Sequence, residues 1–121
     1  MMRSILLVVA VSLSAAACGD IRSCPNACDR AFSESECHFG AGLAAGGDPR
    51  KAIRECTREC ENALRQTGDL DGYDPDDYNS VDRSRSFELK NEAQAAAWID
   101  CVSETSCQDI NDGFCPGGGI N

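Results

Sequence analysis

The sequence predicts an all-α fold: a small disulfide-stapled three-helix domain, a helical hairpin plus a third helix, carried behind a cleaved leader. Three observations lead there. Cys24 with Cys28 and Cys56 with Cys60 are spaced i,i+4, which puts two side chains on one face of a helix one turn apart. A third stretch, around Trp98, repeats its apolar residues with helical period. Nine cysteines in 121 residues read as a disulfide framework, because so short a chain buries a marginal core and needs staples.

Taken in chain order, the first element is not part of the domain. Arg3 makes a short positive start, Ile5 to Leu13 an apolar run, and Ser14 to Ala17 a small-residue stretch, which together read as a signal peptide over residues 1–17. The run is far below the ~20 apolar residues a permanent membrane span needs. The residues Ala15-Ala16-Ala17-Cys18 resemble the lipobox of bacterial lipoproteins, although leucine is commoner where Ala15 stands. That resemblance implies acylation of Cys18, which becomes the new amino terminus. An ordinary A-x-A cleavage site would read the same alanines but would leave an odd thiol in an oxidising compartment; parity assigns Cys18 to lipid and the other eight cysteines to bridges. Residues 18–23 are then the lipidated cysteine and a short tether. By resemblance to the enterobacterial sorting rule, Gly19 after the cysteine implies the outer membrane.

Helix one is expected from about Cys24 to Ser35, with Ser23 or Cys24 at its cap and Pro25 in the first turn, where a missing N–H costs nothing. Helix two has the clearest start: Asp48 caps, Pro49 takes the first helical position, and no breaker follows until Gly68. On its outside, Lys51 with Glu55 and Glu61 with Arg65 are spaced for i,i+4 support. Helix three is expected over about Phe87 to Glu104, with Asn91 followed by Gln94 as a later start, and with Trp98 at the core. The domain spans residues 24–115. Gly40 to Gly47 is a link between helices one and two, Gly68 to Arg85 an acidic loop, and residues 116–121 a disordered tail.

Two antiparallel helices bearing C-x-x-x-C pairs can be clamped twice, and matching outer with outer gives Cys24–Cys60 and Cys28–Cys56. The remaining four cysteines allow three pairings. If helix three returns along helix one, Cys37 meets Cys101 and Cys107 closes locally on Cys115. The twin C-x-x-x-C pattern resembles the helical hairpin proteins of the mitochondrial intermembrane space, which implies the architecture and not an activity. The whole chain resembles short cysteine-rich lipoproteins of myxobacteria.

Charge limits the partners. Of 11 basic residues only Arg3 lies in the leader, leaving 10 against 20 acidic side chains, so phosphate backbones repel the domain and nucleic acid is not an expected partner. No cofactor is expected. Catalysis is not expected either: His38 is the single histidine, and no G-x-S-x-G or H-E-x-x-H accompanies it. Among ligands, calcium has one candidate loop, Asp69, Asp71, Asp74 and Asp76 with Asp77. Its D-L-D-G resembles the end of extracellular calcium repeats, but in EF-hand register Thr67 and Tyr78 stand where Asp and Glu belong. The sequence C-P-N-A-C at 24–28 resembles copper chaperones of C-x-x-x-C type, which also need a histidine. The leading expectation is therefore a non-catalytic structural or interaction module of the cell envelope, held to the membrane by lipid, with an envelope protein as a further partner. A calcium-dependent binding module and a periplasmic thiol or copper handler are the alternatives.

Overall fold

A computed structural model describes residues 22–39, 48–76 and 87–120. The leader, Cys18 and most of the tether lie outside the described residues, as do the link 40–47 and loop residues 77–86.

Four helices form, and the described residues contain no strand: α1 (Cys24–Phe32), α2 (Pro49–Leu64), α3 (Glu92–Glu104) and α4 (Cys107–Asp112). Each begins where a side-chain oxygen meets an orphan N–H of its first turn. Ser23 accepts from Asn26, Asp48 from Arg50, Asn91 from Gln94 and Ser106 from Asp109. Helix three therefore takes the later start at Asn91. Helix one stops at Phe32, three residues early, because Ser33 turns extended and the chain wraps back over the helix end, with Cys37 N–H donating to the Arg30 carbonyl and Phe39 N–H to that of Ala31. Helix two stops at Leu64, and the Gln66 carbonyl then accepts from Glu92 N–H, joining its end to the start of α3.

α1 and α2 pack antiparallel through Cys24–Cys60 and Cys28–Cys56, the register expected from the spacing. α3 completes the bundle by packing on both α1 and α2. Arg22 binds Asp100 at 3.0 Å and Glu104 at 2.6 Å, and Arg30 donates to the carbonyls of Val102 (2.8 Å) and Thr105 (2.7 Å). The core is Phe32, Trp98, Val102, Ile110 and Ile120 around the cystines, all essentially out of contact with water.

The other two bridges correct the expected ones. Cys37 pairs with Cys107 and Cys101 with Cys115, not Cys37 with Cys101 and Cys107 with Cys115. The cause is α4. Cys107 opens it and Cys115 lies beyond its terminal Gly113; the helix sets Cys107 against Cys37 (Cα–Cα 4.9 Å) while the chain after it brings Cys115 to Cys101 (5.7 Å).

The tail is likewise corrected: residues 116–120 are ordered and mostly buried, with Ile120 fully so. Gly117 and Ile120 exchange two backbone hydrogen bonds of 2.9 Å, closing a tight loop through glycines at φ 122°, 62° and 96°. Gly118 lies where a Cβ would stand 2.6 Å from the Trp98 ring and 3.1 Å from the Cys56 sulfur. The glycine run thus lets backbone press onto a ring and a cystine.

Candidate functional site

The eight cysteines Cys24, Cys28, Cys37, Cys56, Cys60, Cys101, Cys107 and Cys115 form four disulfides. They are structural in setting, since seven of the eight are buried. Such a set belongs to an oxidising compartment outside the cytoplasm. Thiolate chemistry, whether redox or copper binding, has no thiol to use among the described residues. Cys18 is the single cysteine outside this framework.

Asp69, Asp71, Asp74 and Asp76 are all exposed, and among the described residues no group of three or more His, Cys, Asp or Glu converges as a metal requires. Asp77 lies outside the described residues. The loop has a structural use instead. Asp71 (φ 51°) and Gly72 (φ 77°) make a left-handed turn, the Asp74 carboxylate accepts from Asp76 N–H at 3.0 Å, and Tyr73 is driven inward. Its ring stacks on Phe87 with centroids 4.6 Å apart, and its hydroxyl donates to the Pro116 carbonyl at 2.5 Å. Burial pushes the phenol far above its ordinary range, helped by the charges of Glu59, Asp76 and Asp74. The segment therefore pins the tail.

Glu59 is the functional-looking group that the sequence does not reveal. Its carboxylate accepts the N–H of Gly118, and a groove of about 300 Å³ runs beside it past Phe32, Glu55, Arg58 and Glu88. Burial raises its pKa, the backbone N–H groups of Gly118 and Leu89 pull it back, and the charge of Glu88 adds to the rise. A signal was present: Glu59 sits three residues after Cys56 and one before Cys60, on the flank of the buried face.

A second groove, of about 480 Å³, lies where the chain enters the domain. Pro25 of α1, Leu64 of α2, and Ala96 and Ile99 of α3 supply its apolar wall, with Arg22 and Asp100 at the rim. Leu64 is 42 % exposed, one of two large hydrophobic side chains left so open among the described residues. Beside it on α2, Arg54, Arg58 and Arg65 line a shallow depression with Ile53 and Thr57. The expected pairs Lys51–Glu55 and Glu61–Arg65 do not close; the ion pairs among the described residues are Arg22 with Asp100 and Glu104, and Arg30 with Glu36. Solvent screening makes an exposed helix pair worth only a few tenths of a kcal/mol, too little to immobilise two long side chains. Among the described residues no helix is long and apolar enough to cross a membrane. No family model, curated protein or solved structure matches the chain.

Proposed function

We propose that this protein is a lipid-anchored, disulfide-stabilised lipoprotein of the cell envelope, acting as a non-catalytic structural or interaction module. The single observation that carries this reading is the cysteine count. Nine cysteines stand in the sequence, eight are consumed by four bridges, and the ninth is Cys18, directly after Ala15-Ala16-Ala17 and the apolar run Ile5 to Leu13. Acylation is the fate that leaves no odd thiol in an oxidising compartment. The outer membrane is the favoured destination on the strength of Gly19.

The domain suits such a post. Its stability rests on cross-links and on a tail locked into the bundle. The tether is short: Gly19, Asp20 and Ile21 join Cys18 to Arg22, and four Cα-to-Cα steps of ~3.5 Å reach roughly 14 Å.

Detergent phase separation of cells expressing the full chain tests the anchor. The wild type is expected in the detergent phase and Cys18→Ser in the aqueous phase or retained as unprocessed precursor. Wild type recovered in the aqueous phase, processed and unmodified, would sink the proposal.

A further inference from the structure

We infer that the Cys37–Cys107 bridge is a site of thiol–disulfide exchange, attacked at Cys107 by a dithiol, and that its opening releases α4 from the end of α1 while the three-helix bundle stays closed. The inference goes beyond the structural role proposed above and does not depend on the lipid anchor.

Three observations single out this bridge. The first is access. In each of the other three bridges both cysteines are buried, at 4 % exposure or less, whereas Cys107 is only half-buried. A thiolate must reach a sulfur in order to attack it, so access decides which bridge exchanges. The second is connectivity. Cys24–Cys60 and Cys28–Cys56 both tie α1 to α2, and Cys101–Cys115 ties α3 to the segment that follows α4. Of the four bridges, Cys37–Cys107 alone crosses from the amino-terminal hairpin to the carboxy-terminal part of the domain. The third is packing. α1, α2 and α3 pack on one another, but α4 lays no comparable surface on any of them. The bridge at its first residue and the buried side chain of Ile110 fix it to the rest of the domain.

The sulfur attacked is that of Cys107, because Cys37 is buried at 8 % exposure in the chain that wraps back over the end of α1. A thiolate of the dithiol forms a bond to Cys107 Sγ, the bond between Cys107 and Cys37 breaks, and Cys37 leaves as a thiolate that takes a proton from water. The second thiolate of the dithiol then attacks its own sulfur in the mixed disulfide and releases Cys107, which is protonated in turn. The protein gains two hydrogens and the dithiol is oxidised to a disulfide. Three bridges remain, so α1 stays clamped to α2 and Cys115 stays clamped to α3. What changes is the hold on α4. Oxidised, the bridge locks its first turn to the end of α1; reduced, Ile110 is left to carry the helix alone against the bundle.

The test uses the oxidised full chain and dithiothreitol at neutral pH, with iodoacetamide quenching at intervals and peptide mapping of the alkylated cysteines. A buried bridge waits on a local opening, and an opening populated a tenth of the time or less slows attack at least about tenfold. Of the eight bridged cysteines, Cys37 and Cys107 are therefore expected to be alkylated first, at least about tenfold faster than any other pair. At that stage the helical circular dichroism should be kept, amide exchange across residues 107–112 should be faster, and exchange in α2 and α3 unchanged. With glutathione in place of the dithiol, the adduct is expected on Cys107 and the free thiol on Cys37. Another pair alkylated first, or all eight cysteines alkylated together as the helical signal is lost, overturns the exchange site. Unchanged amide exchange in α4 after Cys37 and Cys107 are alkylated overturns the release of α4, and a glutathione adduct on Cys37 overturns the direction of attack.

Discussion

Substituting Gly118 by alanine isolates what the ordered tail contributes. Two costs are built into the position. Its φ of 62° lies in the left-handed region, which costs an L-residue about 1–2 kcal/mol. The added Cβ would stand 2.6 Å from Trp98 Cζ2 and 3.1 Å from Cys56 Sγ, and neither the indole nor a cystine held at both ends can swing aside. Overpacking of that kind costs about 1–3 kcal/mol. Gly72 provides the control, because it has a similar φ of 77° but nothing within 4 Å of its missing Cβ. Gly72→Ala therefore carries the backbone cost alone, and both variants share the same small gain from stiffening the unfolded chain. Thermal melts of the oxidised protein give the comparison directly. At about 4–8 °C per kcal/mol for a domain of this size, Gly118→Ala should melt at least about 4 °C below Gly72→Ala. Equal melting temperatures would mean that the tail does not press on Trp98, and the packing account of residues 116–120 would fall.

Three further outcomes follow from the same contacts. Glu59 has a folded pKa raised above its ordinary 4.5, so its protonation stabilises the fold; that stability is fully present below the ordinary value and is lost as pH rises through the folded one. Chemical denaturation across pH should accordingly show wild type losing stability relative to Glu59→Gln as pH rises from 4 towards neutrality, and a relative gain would show that the Gly118 and Leu89 N–H groups outweigh burial. Removing the Cys37–Cys107 bridge by the double alanine variant opens a loop of sequence separation 70 and should cost about 4 kcal/mol, against about 3 kcal/mol for Cys101–Cys115 with separation 14; peptide mapping that recovers Cys37 joined to Cys101 contradicts the connectivity itself. Tyr73→Phe leaves the buried Pro116 carbonyl without its donor and should cost about 1–3 kcal/mol, read as faster amide exchange in residues 116–120; unchanged exchange would sever the loop from the tail.

What could be read from the sequence and what could not divide along physical lines. Asp48-Pro49 and Asn91 with Gln94 mark helix starts through bonds that are local in sequence, and the i,i+4 cysteines carry their own register, so α2, α3 and the first two bridges were legible. α4 was not: it is six residues long with Ile110 as its one buried side chain, too short to show a period. Overlooking α4 misassigned both remaining bridges, since only the helix separates Cys107 from Cys115. The tail failed for a different reason. Pro116 to Gly119 has the composition of a breaker, and composition does not distinguish glycines that lie in solvent from glycines needed for a 2.6 Å approach to Trp98. Glu59 was hidden with it, because its burial depends on Gly118, 59 positions away.

The central claim is a four-bridge domain carried by a lipidated Cys18, and intact mass before and after reduction tests it most directly. A chain that starts at Cys18, is heavier than that polypeptide by its acyl groups, gains eight hydrogens on reduction and has no free thiol beforehand is the expected result. A chain starting at Cys18 at its bare polypeptide mass, or one with free thiols among the other eight cysteines, would contradict it.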